Sequence, residues 1–67
     1  MTNEEIAAIR RWFGWTLKEM APMVGAEFTA LCRIEKGDRD PTADQLKRLK
    51  TIRARMIREM RAKLAAE

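Results

Sequence analysis

Apolar positions along this 67-residue chain recur at helical spacing. Ile6, Ile9 and Phe13 share one side of a first helix, and Leu17, Met20, Ala21 and Val24 share one side of a second. In a third, Ala30, Leu31 and Ile34 point one way while Thr29, Cys32, Arg33 and Lys36 point the other. Two-residue alternation is nowhere sustained, so no strand is expected. The punctuation agrees with the periodicity. Thr2-Asn3-Glu4-Glu5, Thr16-Leu17-Lys18-Glu19 and Thr42-Ala43-Asp44-Gln45 each fit a capping box, in which the hydroxyl accepts the third amide N–H and the Glu or Gln reaches back to the cap. Gly14, Gly25 and Gly37 stand where a left-handed residue ends a helix at little cost. These signals predict helices over about residues 3–12, 17–24, 27–36 and 43–65, in one all-α domain spanning 1–67. Trp15 falls in the first connection, placed to cap the core, whereas Trp12 lies off the apolar side of its helix. Pro22, inside the second helix, removes an amide donor and crowds the Lys18 carbonyl, which predicts a kink or a tightened last turn.

The fourth helix is too long for so small a globule. Leu46, Leu49, Ile52, Met56, Ile57, Met60 and Leu64 fall within roughly 140° of arc. Its first half can cover the other three helices; its second half is left without an intrachain surface. Fraying, a membrane surface, a foreign partner or a second copy are the outcomes open to it. Apolar positions maintained to Leu64 favour the second copy, with Ile52, Met56, Ile57, Met60 and Leu64 as the interface.

Composition narrows the class. With 46% apolar and 36% charged residues the chain is expected to fold, yet it lies near the lower size limit for a lone core, which again favours pairing. Its one cysteine, Cys32, can form no internal disulfide. Histidine is absent, which removes the commonest general base and the commonest nitrogen ligand for metals. No apolar run approaches spanning length and no signal-like leader is visible, so a soluble protein of the cytoplasm, bacterial or phage-infected, is expected. The formal charge of +4 is unevenly spread. Residues 1–41 hold 6 Lys/Arg against 7 Asp/Glu, whereas residues 42–67 hold 8 against 3. A basic second part suits an anionic partner such as nucleic acid, although a solvated Arg-rich helix face gives the same count.

Two short helices joined through Gly25, the second small and polar outside, make the pattern of a helix-turn-helix over about residues 16–37. The stretch "IRRWFGWTLKEMAPMVGAEFTALCRIEKGDRDP", Ile9 to Pro41, resembles the Xre/Cro/lambda-repressor family of helix-turn-helix domains. The likeness is carried by Arg10 four residues before Gly14, then Thr16, Ala21, Gly25, Glu35, Gly37 and Pro41. The start "MTNEEIAAIRRWFGWTLKEMAPMVG" also looks like the small phage regulators encoded beside anti-CRISPR genes. With the four helices already read, and a long C-terminal dimerisation helix over about 43–65, the chain is expected to be a compact helix-turn-helix domain; the resemblance implies a transcriptional repressor that sets the third helix in the major groove of duplex DNA. It further implies base reading by Phe28, Thr29, Cys32 and Arg33, phosphate contacts near Thr16, Leu17, Lys36 and Arg39, and an ion pair of Arg10 with Glu35 locking the first helix to the third. The chain departs from the family at Leu17, where Gln is frequent, at Glu27, where Ser or Thr usually caps the reading helix, and at Pro22.

Elementary chemistry supports the same residues. Arg33 can fork two N–H groups onto O6 and N7 of guanine, Thr29 offers a hydroxyl or a methyl, and Phe28 can lie on a thymine methyl. Lys36, Arg39, Lys47 and Arg48 suit phosphate neutralisation, which positions without specifying. Each has a plainer alternative: Arg33 as a solvated surface side chain, Phe28 as the edge of the core, Cys32 as a small residue permitting close approach rather than a redox switch. The leading expectation is a homodimeric repressor on a palindromic operator, acting on its own promoter in a phage or mobile element. Its rivals are the antitoxin of a toxin–antitoxin pair, with the basic end of the last helix engaging the toxin, and a protein-interaction module that has lost DNA binding. No catalytic constellation, phosphate loop, metal site or cofactor site is expected.

Overall fold

The computed structural model describes residues 1–66. Four helices follow one another: α1 (Asn3–Phe13), α2 (Leu17–Val24), α3 (Phe28–Lys36) and α4 (Ala43–Ala66), with no strand among the described residues. Each predicted helix is present, with ends shifted by one residue at most. Glu27 is the N-cap of α3 rather than its first residue, and its side chain makes no capping bond. The capping boxes of Thr16–Glu19 and Thr42–Gln45 form in full. The first is half made. Thr2 Oγ1 accepts the Glu5 amide at 3.1 Å, but the Glu5 carboxylate turns to Arg53 of α4 at 3.3 Å. That exposed pair adds a contact between α1 and α4 in place of the second capping bond.

α1 packs against α3 and α4, and α2 packs against the same two. The helices therefore alternate around one core, with α3 and α4 on opposite corners. Ile6 and Ile9 of α1, Met20, Ala21 and Val24 of α2, Leu31 and Ile34 of α3 and Leu49 of α4 are the buried cluster. Pro22 leaves α2 α-helical from Leu17 to Val24 and lies exposed. The tightened closing bond, Gly25 N–H to the Pro22 carbonyl at 3.3 Å, recurs at Gly14 and Gly37. It belongs to the glycine caps, not to the proline.

A 24-residue helix is about 36 Å long, which accounts for the 38 Å longest extent of the molecule. Its second half is less isolated than the periodicity implies. Ile52 and Met56, expected at a dimer interface, pack against the chain's own core. Trp12 and Phe13 also meet this helix. Phe13 stacks on Trp15 at 4.2 Å between centroids, Trp12 meets its edge at 4.9 Å, and α4 lays Arg55 over Phe13 and Lys63 over Trp12. Trp12, off the apolar side of α1, thus faces the far end of α4. No helix is long and apolar enough to cross a membrane among the described residues.

Candidate nucleic-acid interface

The outward face of α3 forms because its inward face is consumed. Leu31 and Ile34 are fully buried and Ala30 half-buried, which leaves Thr29, Arg33 and Lys36 exposed and Cys32 between the two faces. Among the described residues neither Arg33 nor Lys36 has an ion-pair partner. Phe28, on the first turn, is 43% exposed with the Lys18 ammonium 5.8 Å from its ring centre. It is not swallowed by the core.

Three attachments fix the helix that carries this face. Arg10 of α1 grips Glu35 with both arms of its guanidinium, Nε to Oε2 at 2.7 Å and Nη2 to Oε1 at 3.0 Å. Its remaining nitrogen donates to the Trp15 carbonyl at 3.1 Å, and the Trp15 amide donates back to the Arg10 carbonyl. Hydrogen bonding to Glu35 raises the Arg10 pKa above its ordinary value against the opposing effect of burial, so the guanidinium stays charged. Asn3 adds a bond from its amide to the Glu35 carbonyl at 3.2 Å. Glu35 is therefore held from α1 through side chain and backbone.

The turn before α3 is fixed from α4. Gly25 has φ +74, the left-handed region, and a Cβ there would lie 3.2 Å from Nη1 of Arg48. Arg48 is held over the turn by Asp44 at 3.1 Å, and the buried Gln45 amide donates to the Gly25 carbonyl at 3.4 Å. Asn3 and Gln45 are positioning residues that spacing does not single out. Gln45 is visible as a capping residue, but its second bond spans twenty residues.

Sites expected near phosphates separate into three groups. Lys36 and Arg39 are exposed at and beyond the end of α3, and Arg48 lies at the turn. At the start of α2, Thr16 Oγ1 accepts the Glu19 amide, so its own proton remains free to donate. Bonds from Thr16 hold the Glu19 carboxyl below its ordinary pKa. The Leu17 side chain, by contrast, packs against the core and has only its backbone N–H to offer. Lys47 stands apart: it lies with Lys50, Arg58 and Arg61 on the outer face of α4, and α4 is seated against α1 and α2 rather than α3. Charge around the outward face of α3 is balanced, Lys18, Arg33, Lys36 and Arg39 standing against Glu19, Glu27, Asp38 and Asp40.

Of the residues expected to pair two copies, Ile57, Met60 and Leu64 are exposed, at 38%, 38% and 73%. Among the described residues no cluster of side chains could hold a metal ion. No family model matches the chain, and no curated protein or solved structure matches it either.

Proposed function

We propose that the chain is a sequence-specific, duplex-DNA-binding transcriptional repressor of the Xre/Cro type, and that it acts as a homodimer on an inverted-repeat operator of a phage or mobile element. The observation that carries this reading is the outward face of α3. Thr29, Arg33 and Lys36 are solvent-exposed, and among the described residues the two cations have no ion-pair partner, on a helix joined to α1 by the two-armed Arg10–Glu35 contact. Direct readout needs that combination: donors that are not already spent, on an element that does not move when they engage a base edge. Phe28 supplies an apolar surface beside them for a thymine methyl.

Selection of bound duplexes from a random pool tests the proposal. It expects enrichment of one inverted repeat. A pool that stays random while the protein still binds at low salt would remove sequence-specific recognition from the account. The balanced charge around α3 favours a second reading, an interaction module that keeps the fold without binding DNA. The same experiment separates the two, because that module enriches nothing.

A further inference from the structure

The outer face of α4 carries chemistry that the reading face does not use. Lys47, Lys50, Thr51, Ala54, Ile57, Arg58 and Arg61 form one continuous exposed stripe along α4. All seven side chains are exposed, since α4 turns its other side to α1 and α2. Four are cations and none is an acid. The acids within reach on this helix are occupied elsewhere: Asp44 holds Arg48 and Glu59 holds Arg55. Among the described residues the four cations have no ion-pair partner. Between them the floor is small and apolar, with Thr51 and Ala54 followed by Ile57.

We propose that this face docks an acidic amphipathic helix of a partner protein. The lining positions recur at three- and four-residue steps from Lys47 to Arg61, a stripe about 21 Å long that matches a partner helix of about four turns. Small residues at the centre let two helix axes approach closely, so that apolar side chains of the partner reach Ala54 and Ile57. Its carboxylates then meet Lys47, Lys50, Arg58 and Arg61 at the rim, where charge sets encounter rate and selects partners. A second copy of this chain is a poor occupant. Laid along the same stripe in either direction, it sets cations against cations with no anion in between. Duplex DNA would satisfy the cations but leave the Ala54–Ile57 floor without an apolar counterpart. No residue of α3 lines this face, so the proposal does not rest on base reading; it does draw on Ile57, which the homodimer reading also uses, and on Lys47, expected near phosphate.

Selection from a display library of 20-residue amphipathic helices with randomised polar positions tests it on the full chain. The expected binders carry Asp or Glu beside an apolar seam, and Lys50→Glu with Arg58→Glu weakens them at least tenfold without altering the helical spectrum or the melting curve. Ala54→Lys separates the possible occupants. It adds charge but fills the floor, so it should weaken a docked helix at least tenfold while leaving binding of a random-sequence duplex equal or stronger. The proposal is overturned by binders without acidic bias or by binders indifferent to the Lys50/Arg58 pair. It is equally overturned if Ala54→Lys strengthens them, which marks a plain polyanion surface, or if the wild-type face proves to be covered by a second copy.

Discussion

Arg33 and Arg10 present the same guanidinium to opposite tasks, and their substitutions should separate cleanly. Arg33 is exposed and unpaired among the described residues, so Arg33→Ala should leave the melting curve in place and cost about 1–3 kcal/mol of operator affinity with a much smaller loss on scrambled duplex. Lys36→Ala should weaken both duplexes alike and lower the salt slope by about one unit. Paired titrations at two salt concentrations read both effects, and an unchanged operator-to-scrambled ratio for Arg33→Ala sinks the base-reading role. Arg10 is the reverse case. Its removal strands Glu35, whose side chain is only 10% exposed, at a cost of roughly 3 kcal/mol. Arg10→Lys should fall in between, because an ammonium cannot make the forked contact; a denaturant series that leaves all three proteins equal would deny the pair any structural part. Glu19 gives a pH dependence. Its carboxyl is held low by bonds from Thr16, so its contribution is fully present above the ordinary glutamate pKa and is lost as pH falls through the lower folded value. The stability gap between wild type and Glu19→Ala should therefore be constant near neutrality and close in acid; a gap that persists at the lowest pH would assign it to helix propensity alone.

At the level of elements, what could be read from sequence was local. Helix boundaries rest on caps a few residues apart, and the division of α3 into an inward Leu31–Ile34 side and an outward Thr29–Arg33–Lys36 side follows from a period of 3.6 residues. The course of α4 was not legible in the same way. Whether Met56 serves a dimer or the chain's own core depends on what stands opposite, and the buried cluster it meets is assembled from all four helices, while Phe13 and Trp12 meet Arg55 and Lys63 of α4 across more than forty residues of chain. Likewise Glu5 fits a capping box on spacing, yet it is drawn to Arg53, forty-eight positions away. The candidate site was legible where it lies on one helix and obscure where it is supported from others, as at Asn3 and Gln45. This division has an energetic consequence. Phe13→Ala removes both the stack on Trp15 and the seat of Arg55. It should cost roughly 3 kcal/mol and speed amide exchange in the second half of α4 more than elsewhere. Exchange that rises evenly over the whole chain would show that the aromatic cluster does not specifically hold that half.

On the scale of the whole molecule, the proposed homodimer raises the question of what surface two copies would share. With Ile52 and Met56 drawn into the fold, only Ile57, Met60 and Leu64 remain as an exposed apolar patch on the far half of α4. Three side chains per protomer make a small interface, well below the roughly 1,000 Å² of a stable dimer unless neighbouring side chains join. The free protein is therefore predicted to be a monomer–dimer equilibrium with a dissociation constant of about micromolar order, shifted to monomer by Met60→Glu or Leu64→Glu with the fold intact. DNA would then complete the assembly. If two copies of α3 enter successive major grooves on one side of a duplex, half-sites should lie about 34 Å apart, roughly one helical turn. Each bound copy raises the effective concentration of the other, so occupancy of the palindrome should climb with about the second power of protein concentration. Inserting about five base pairs, half a turn, puts the second half-site on the opposite side of the duplex and should reduce binding to that of an isolated half-site. Sedimentation equilibrium and operator titrations on the two spacings measure this together. Equal affinity for both spacings, with a first-power isotherm and no dimer at tens of micromolar, an order-of-magnitude ceiling for so small a patch, would leave the protein a monomeric reader.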